Sequence, residues 1–424
     1  MRHLRLHRFV AGVALAAACL AEPAIASAQT VAFTGATVWD GTGAPALPGA
    51  TIVVQDGRIR SVGRTAAPPD ATVVDLSGHW VMPGLINAHG HVTGQWAPEG
   101  SADAAARIEG DLRLYARYGV TTVNSLGDEP AEAAIVRRTQ DRAELRRARL
   151  HFAGPVIGGT SIHDAVAAVD ANADAHVDWI KIRVDDNLGT TDKMPWPVVQ
   201  AVMDEARVRG MRVATHLFYL ADAKRLLRMG SGLIAHSVRD ADVDAELVGL
   251  LRDTGVCYIP TLAREVSTFV YAERPSFFDD PFFLRWADRR EVRRVSDPAF
   301  MRETAESPAA ARYRVALRQA QKNLKTLSDA SIPIAMGTDS GPAGRFPGYF
   351  EHMELGLMAE AGMTPEQVLR SATGVAADCL GLTDVGTLEP GRWADFLVLD
   401  ADPLQDVSAT QTLSAVYVAG GVVR

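Results

Sequence analysis

Cysteine is scarce in this chain, 3 in 424 residues, which excludes the disulfide-dense scaffold of small secreted domains. Cys19 falls in the leader described below. Cys257 and Cys379 sit among apolar neighbours and read as buried thiols, with a single bridge left open for an oxidising compartment. Positive charge is also short: 43 Lys and Arg stand against 51 Asp and Glu, a formal net charge of −8. That balance argues against nucleic acid as a partner. Beyond the leader no run reaches the roughly 20 uninterrupted apolar residues of a membrane helix, so no stable membrane insertion is expected. Neither a fixed-period repeat nor a low-complexity tract is present.

What is there begins with an export signal. Arg2, Arg5 and Arg8 precede an apolar run over residues 9–20, followed by the small-residue site Ala26-Ser27-Ala28. Residues 1–28 are therefore expected to be a signal peptide cleaved near Ala28, with the mature protein periplasmic or secreted. The remainder is long enough for one large domain and one small one.

Residues 29–82 carry β-branched runs, "ATIVVQ" and "RIRSVG", around Asp56-Gly57, a hairpin signal because a type I′ turn needs positive φ. Residues 385–424 repeat that texture in "DFLVLDADP" and "LSAVYVAGGVVR". The two ends are expected to join as a small β-sandwich. Between them, residues 83–384 hold eight apolar runs: "GLINAHGHV", "VTTVNSL", "LHFAGPVIGG", "WIKIRV", "MRVATHLF", "GLIAHSV", "VCYIPTLA" and "IPIAMGTD". Helical stretches that close at glycine separate them. This alternation predicts an α/β fold, a (β/α)8 TIM-like barrel whose reactive groups gather where the strands end. One long insert, residues 265–325, is expected over the barrel mouth; its aromatics either line a substrate pocket or pack as helices on the barrel or another subunit.

In "GLINAHGHV", His89 and His91 are two apart on a strand and so point the same way. His216 ends the fifth run, His236 the sixth and Asp339 the eighth. These N/O donors converge on one rim and suit zinc or a similar first-row divalent ion. Lys181, in "WIKIRV", lies on a strand whose two faces both look meant for burial. An ammonium buried beside divalent cations would add repulsion to a desolvation cost of several kcal/mol. A carbamate formed with carbon dioxide would instead present two oxygens able to bridge two metals. The competing reading is an ion pair of Lys181 with Asp185 or Asp186.

With these residues the sequence resembles the metal-dependent amidohydrolases. The resemblance runs from "VWDGTG" through "VMPGLINAHGHV", "WIKI", "VATH", "IAHS" and "MGTDSG" to "TPEQVLRSATGVAADCLGL" and "GTLEPGRWADFLVLDADP". Its linear order is most similar to the branch of imidazolonepropionase-like proteins and binuclear Xaa-Pro dipeptidases. The resemblance implies that His89, His91, Lys181 and Asp339 hold one metal and Lys181, His216 and His236 the other. It also implies that a metal-bridging hydroxide is the nucleophile and that Asp339 is the catalytic proton carrier.

Two departures bear on the substrate: Arg183 and "DDNLGT" follow the lysine, and "AHSVRD" follows the sixth run. Arg183 and Arg264 are candidates to grip a carboxylate, or are ordinary rim salt bridges. Tyr219 resembles a family tyrosine that meets substrate or carbamate, and His163 sits after the third run on the same rim. The leading expectation is hydrolysis of an amide or peptide bond in a small carboxylate-bearing compound, such as an Xaa-Pro dipeptide or an N-acyl amino acid, by a homo-oligomer. Lactone, carbamate or organophosphate ester hydrolysis is the nearest alternative. A deaminase is disfavoured because no glutamate follows His216 or His236, and a binding barrel whose metals merely support the fold is the non-enzymatic alternative.

Overall fold

The computed structural model describes residues 30–98 and 100–423. The expected leader, residues 1–28, lies outside the described residues.

Both ends of the chain contribute to one eight-stranded sheet. Thr30–Val38 pairs antiparallel with Leu47–Gln55, which turns into Arg58–Gly63 through Asp56 at φ 53° and Gly57 at φ 75°. Two consecutive positive φ values are what a two-residue primed turn requires. Trp80–Pro83 joins the two ends of the chain: it lies parallel to the first strand and antiparallel to Phe396–Leu399. Phe33 meets both Phe396, at 5.0 Å, and Tyr417, at 4.8 Å, although their strands are not neighbours. The sheet is therefore curled around an apolar core of its own, distinct from that of the barrel.

The barrel is built from parallel pairs. Leu85–Gly90, Val120–Ser125 and Arg149–Phe152 form one set; Ile180–Arg183, Val213–His216, Leu233–Ala235 and Cys257–Ile259 form the other. These are the first seven runs in order. Isolated bridges link the sets: Ile157 to Ile182, Tyr258 to Ile334 and Gly90 to Ser340. The eighth run is thus held by single bridges and not by a regular ladder. Pro333 has no N–H to donate, and the amides of both Thr338 and Asp339 converge on the one carbonyl of His89. At Gly337 a side chain would press on the His89 amide, a Cβ lying 2.8 Å from it, so glycine lets the eighth run close on the first.

Helices alternate with the strands. Trp196–Val208 and Leu220–Met229 bury one face each, and the second ends on Gly230 in the left-handed conformation.

Two open alternatives are resolved here. Cys257 and Cys379 are not thiols but a disulfide, joining the seventh strand to the helix Gly374–Leu380 across 122 positions. The fold brings their Cα atoms to 5.8 Å, within bridging range. The phenylalanines of the insert pack on the barrel: Phe277, Phe278, Phe282 and Phe283 are buried in a cluster with Tyr118, Phe346 and Phe350. Packing on the barrel is the alternative that holds.

Candidate metal centre and substrate pocket

The strand ends place His89, His91, Lys181, His216, His236 and Asp339 around one cavity of 220 Å³. Donor atoms of His89, His91 and Asp339 lie within 4.8 Å of one another. Asp339 Oδ1 is 2.7 Å from His91 Nε2 and 3.5 Å from His89 Nε2. The rings of His216 and His236 stand 4.2 Å apart, and His236 is 4.6 Å from His89, so the two groups adjoin. Lys181 Nζ is 3.1 Å from His89 Nε2.

Burial governs the protonation of these groups. It pushes the His216 imidazole down to about 3 despite the opposing hydrogen bond to Asp185, and holds His89 and His236 well below the ordinary imidazole range. It also pushes the Lys181 ammonium down to about 8, with Asp339 and Glu129 opposing. Burial works against ionisation of Asp339, but Arg345, the bond to His91 and the nearby His89 outweigh it and hold the carboxyl well below its usual range. The centre sets the ionised carboxylate of Asp339 among the neutral imidazoles of His89, His216 and His236, a donor set ready for a divalent cation.

The hydrogen bonds fit a cation as well. His216 neutral donates Nε2–H to Asp185 Oδ2 at 2.9 Å, which leaves its Nδ1 lone pair free. Gly127 O accepts from His91 Nδ1 at 3.0 Å. His91 Nε2 stands 2.7 Å from Asp339 Oδ1, close enough for the two atoms to share one cation. His89 Nδ1 is buried without a partner. Backbone strain collects here too: His236 at φ 81°, Thr261 at φ 51° and Asp339 at φ 57° are left-handed without being glycine.

The fate of the other candidates differs. Lys181 forms no ion pair with Asp185 or Asp186 among the described residues: Asp185 takes His216 and Arg183, and Asp186 accepts from Tyr219. Arg183 and Arg264 line the cavity, but the Arg183 side chain is 42 % exposed whereas that of Arg264 is 9 % exposed. Two candidates do not line it. His163 begins the helix Ile162–Asp174, is 93 % exposed and pairs with Asp164. Tyr219 caps the helix Leu220–Met229 and bonds Asp186, with Lys193 over its ring.

Arg345 was missed. It lies in the Gly/Pro-rich loop "GPAGRFPG" after Asp339, donates to Asp339 O at 3.1 Å and also to Oδ2, and lines the cavity. A cation six positions after a catalytic-type aspartate was the available signal. Glu351 was missed as well: its Oε1 accepts from Asn87, Thr338 and Ser340, clasping the strands that carry His89 and Asp339 from behind.

Comparison with known proteins agrees with this geometry. The model of the amidohydrolase family matches residues 80–423. The imidazolonepropionase of Streptomyces griseus subsp. griseus is 25 % identical over 376 residues, covering 85 % of this chain and 88 % of that protein. The crystal structure of a putative prolidase from Bifidobacterium longum superposes with a TM-score of 0.75 at 27 % identity, covering 93 % and 95 % of the two chains. An Xaa-Pro dipeptidase with bound methionine shares the fold, with a TM-score of 0.74 at 21 % identity, covering 93 % and 100 %. The chain belongs to the amidohydrolase family.

Proposed function

We propose that this amidohydrolase cleaves the amide or peptide bond of a small carboxylate-bearing compound, an Xaa-Pro dipeptide or an N-acyl amino acid. The observation that carries the reading is the one cavity lined by the imidazoles of His89, His91, His216 and His236, the carboxyls of Asp339 and Asp128 and the guanidiniums of Arg183, Arg264 and Arg345. Likeness to a putative prolidase over nearly the whole chain supports it.

His89, His91 and Asp339 would hold one divalent ion, and His216 with His236 a second, with Lys181 between them. Bound divalent ions supply water of lowered pKa and an electrophile for the scissile carbonyl. Lys181 supports a paired site because its depressed pKa leaves a substantial neutral fraction near pH 8, the form that adds carbon dioxide to give a carbamate. Asp339 would take the proton of the attacking water on a carboxylate oxygen and deliver it to the leaving nitrogen. Asp185 fixes the His216 ring, and Glu351 fixes the spacing of the strands beneath. A cavity of 220 Å³ has room for a small substrate. The Cys257–Cys379 bridge supports an exported protein, since such bridges persist in oxidising compartments.

The test is turnover of metal-loaded protein on a panel of dipeptides and N-acyl amino acids. Cleavage of several members supports the reading; failure on all of them with cleavage of lactones or phosphotriesters overturns it.

A further inference from the structure

Outside the metal floor, the cavity is lined by three guanidiniums, Arg183, Arg264 and Arg345, against one acid, Asp128. Arg264 is buried, and its Nη1 lies 3.3 and 3.2 Å from the two oxygens of Glu265. Glu265 is already shared, standing 3.2 Å from Arg239 Nε, and all three side chains are buried. Two guanidiniums thus divide one carboxylate. Tyr313 covers one face of the Arg264 guanidinium at 4.6 Å, and the residue lines the cavity with its buried Nε lacking a hydrogen-bond partner. An unpaired buried donor on a charged group costs more than a neutral one, so such a face is a place for a ligand.

Arg345 stands opposite. Asp339 Oδ2 lies 3.9 Å from Arg264 Nε and also receives Arg345 Nη1, so one carboxylate oxygen fits between the two guanidiniums. If Asp339 is spent on a metal, as in the hydrolase reading on which this inference rests, Arg264 and Arg345 are left facing each other with one shared Glu265. Arg345 is also held in place. The insert grips its loop: Gly344 donates to Glu291, Tyr271 donates to the Gly344 carbonyl, and Phe346 packs on Phe283 at 5.0 Å. Arg183, by contrast, is more exposed and already engaged by Asn187 and Asp185.

We infer that Arg264 and Arg345 together form the subsite for the substrate's free carboxylate, and that the insert, by fixing the loop of Arg345, sets this specificity. Two forked donors on one carboxylate are selective for a planar anion over a neutral group of similar size.

Binding, and not turnover, tests it. The probes are the N-methanesulfonyl derivatives of proline, leucine and phenylalanine, whose sulfonamide bond resists hydrolysis, each paired with its neutral N,N-dimethylamide. Calorimetry on the metal-loaded full chain is expected to show the carboxylate of at least one pair bound about 10 to 100-fold more tightly than its amide. Arg345→Gln is expected to abolish that preference while the melting temperature holds, and Arg345→Lys to keep part of it. Arg264→Gln should do the same, and Arg345→Gln serves alone if loss of the Arg264–Glu265 pair unfolds the protein. Equal affinity within every pair, no binding by any carboxylate, or an undiminished preference in Arg345→Gln overturns the inference. The hydrolase reading fails separately: a chain that cleaves only esters yet keeps the preference leaves the subsite standing, and one that cleaves neutral amides without any preference removes the subsite alone.

Discussion

The two ends of the barrel are built on opposite terms. At the C-terminal ends of the strands, buried polar atoms go unpaired, His89 Nδ1 and Arg264 Nε among them, and His236, Thr261 and Asp339 hold left-handed backbone. At the other end the arginines find partners. Arg149, which opens the third strand, pairs with Asp395 at 2.8 Å; Arg212 stacks on Trp179 at 3.9 Å and donates to the Cys379 carbonyl at 3.2 Å; and Cys257, which opens the seventh strand, is tied to Cys379. The difference teaches that on the rim of the site strained backbone and unpaired polar atoms fall on the donor residues themselves, whereas the covalent and ionic ties at the other end hold the structure together.

Substitutions should therefore separate activity from stability according to the end they touch. The largest effect is expected for Asp339→Ala, a loss on the order of 10³-fold in kcat with the melting temperature preserved, because proton transfer is removed from a position that carries strain and not stability. Steady-state assays with a parallel thermal melt check it, and unchanged turnover would dismiss Asp339 as the proton carrier. Lys181→Ala should lower bound metal, counted by elemental analysis, from two ions toward one per chain, with partial recovery in acetate or propionate. Full occupancy without additive would remove the carbamate from the account.

At the opposite end, Cys257→Ser should cost about 2–4 kcal/mol of stability, since the bridge closes a loop of 122 residues, and leave kcat/KM unchanged. A drop in activity without a drop in stability would reverse the proposed division. The smallest effect is the pH dependence. His216 titrates near 3 in the fold against 6.5 unfolded, so the unfolded chain binds more protons between those values. Its contribution to stability is present above pH 6.5 and is lost as pH falls toward 3, with buried His89 and His236 acting in the same direction. Thermal melts across that range should show the decline, and metal-saturated protein should show a steeper one because protons compete with the ligand nitrogens. A melting temperature that rises on acidification would contradict the neutral imidazoles.

How much of this was legible beforehand depended on the reach of each rule. Strand alternation is a two-residue rule, so it put His89 and His91 on one side and flagged Lys181 as an odd occupant of a buried strand. The hairpin at Asp56-Gly57 was legible for the same reason, because a primed turn is chosen by two adjacent residues. His163 illustrates the limit: its place after the third strand was on the correct rim, yet the first turn of a helix points it into water. Arg345 was hidden because nothing local aims a Gly/Pro loop; Glu291, Tyr271 and the insert aim it from more than fifty positions upstream. The aromatics of that insert were readable as apolar, but not which surface they would cover.

By itself the sequence determined the alternation of strands and helices and the inventory of imidazoles and carboxylates, along with the face of each strand that carries them. These follow from period and turn chemistry within a few residues. Only the tertiary structure decided that Cys257 meets Cys379, that Asp185 serves His216 and not Lys181, and that Arg264 and Arg345 confront each other across one oxygen. Those pairings join atoms far apart along the chain, and the competition among partners for each charge is settled only when burial has removed water as the alternative.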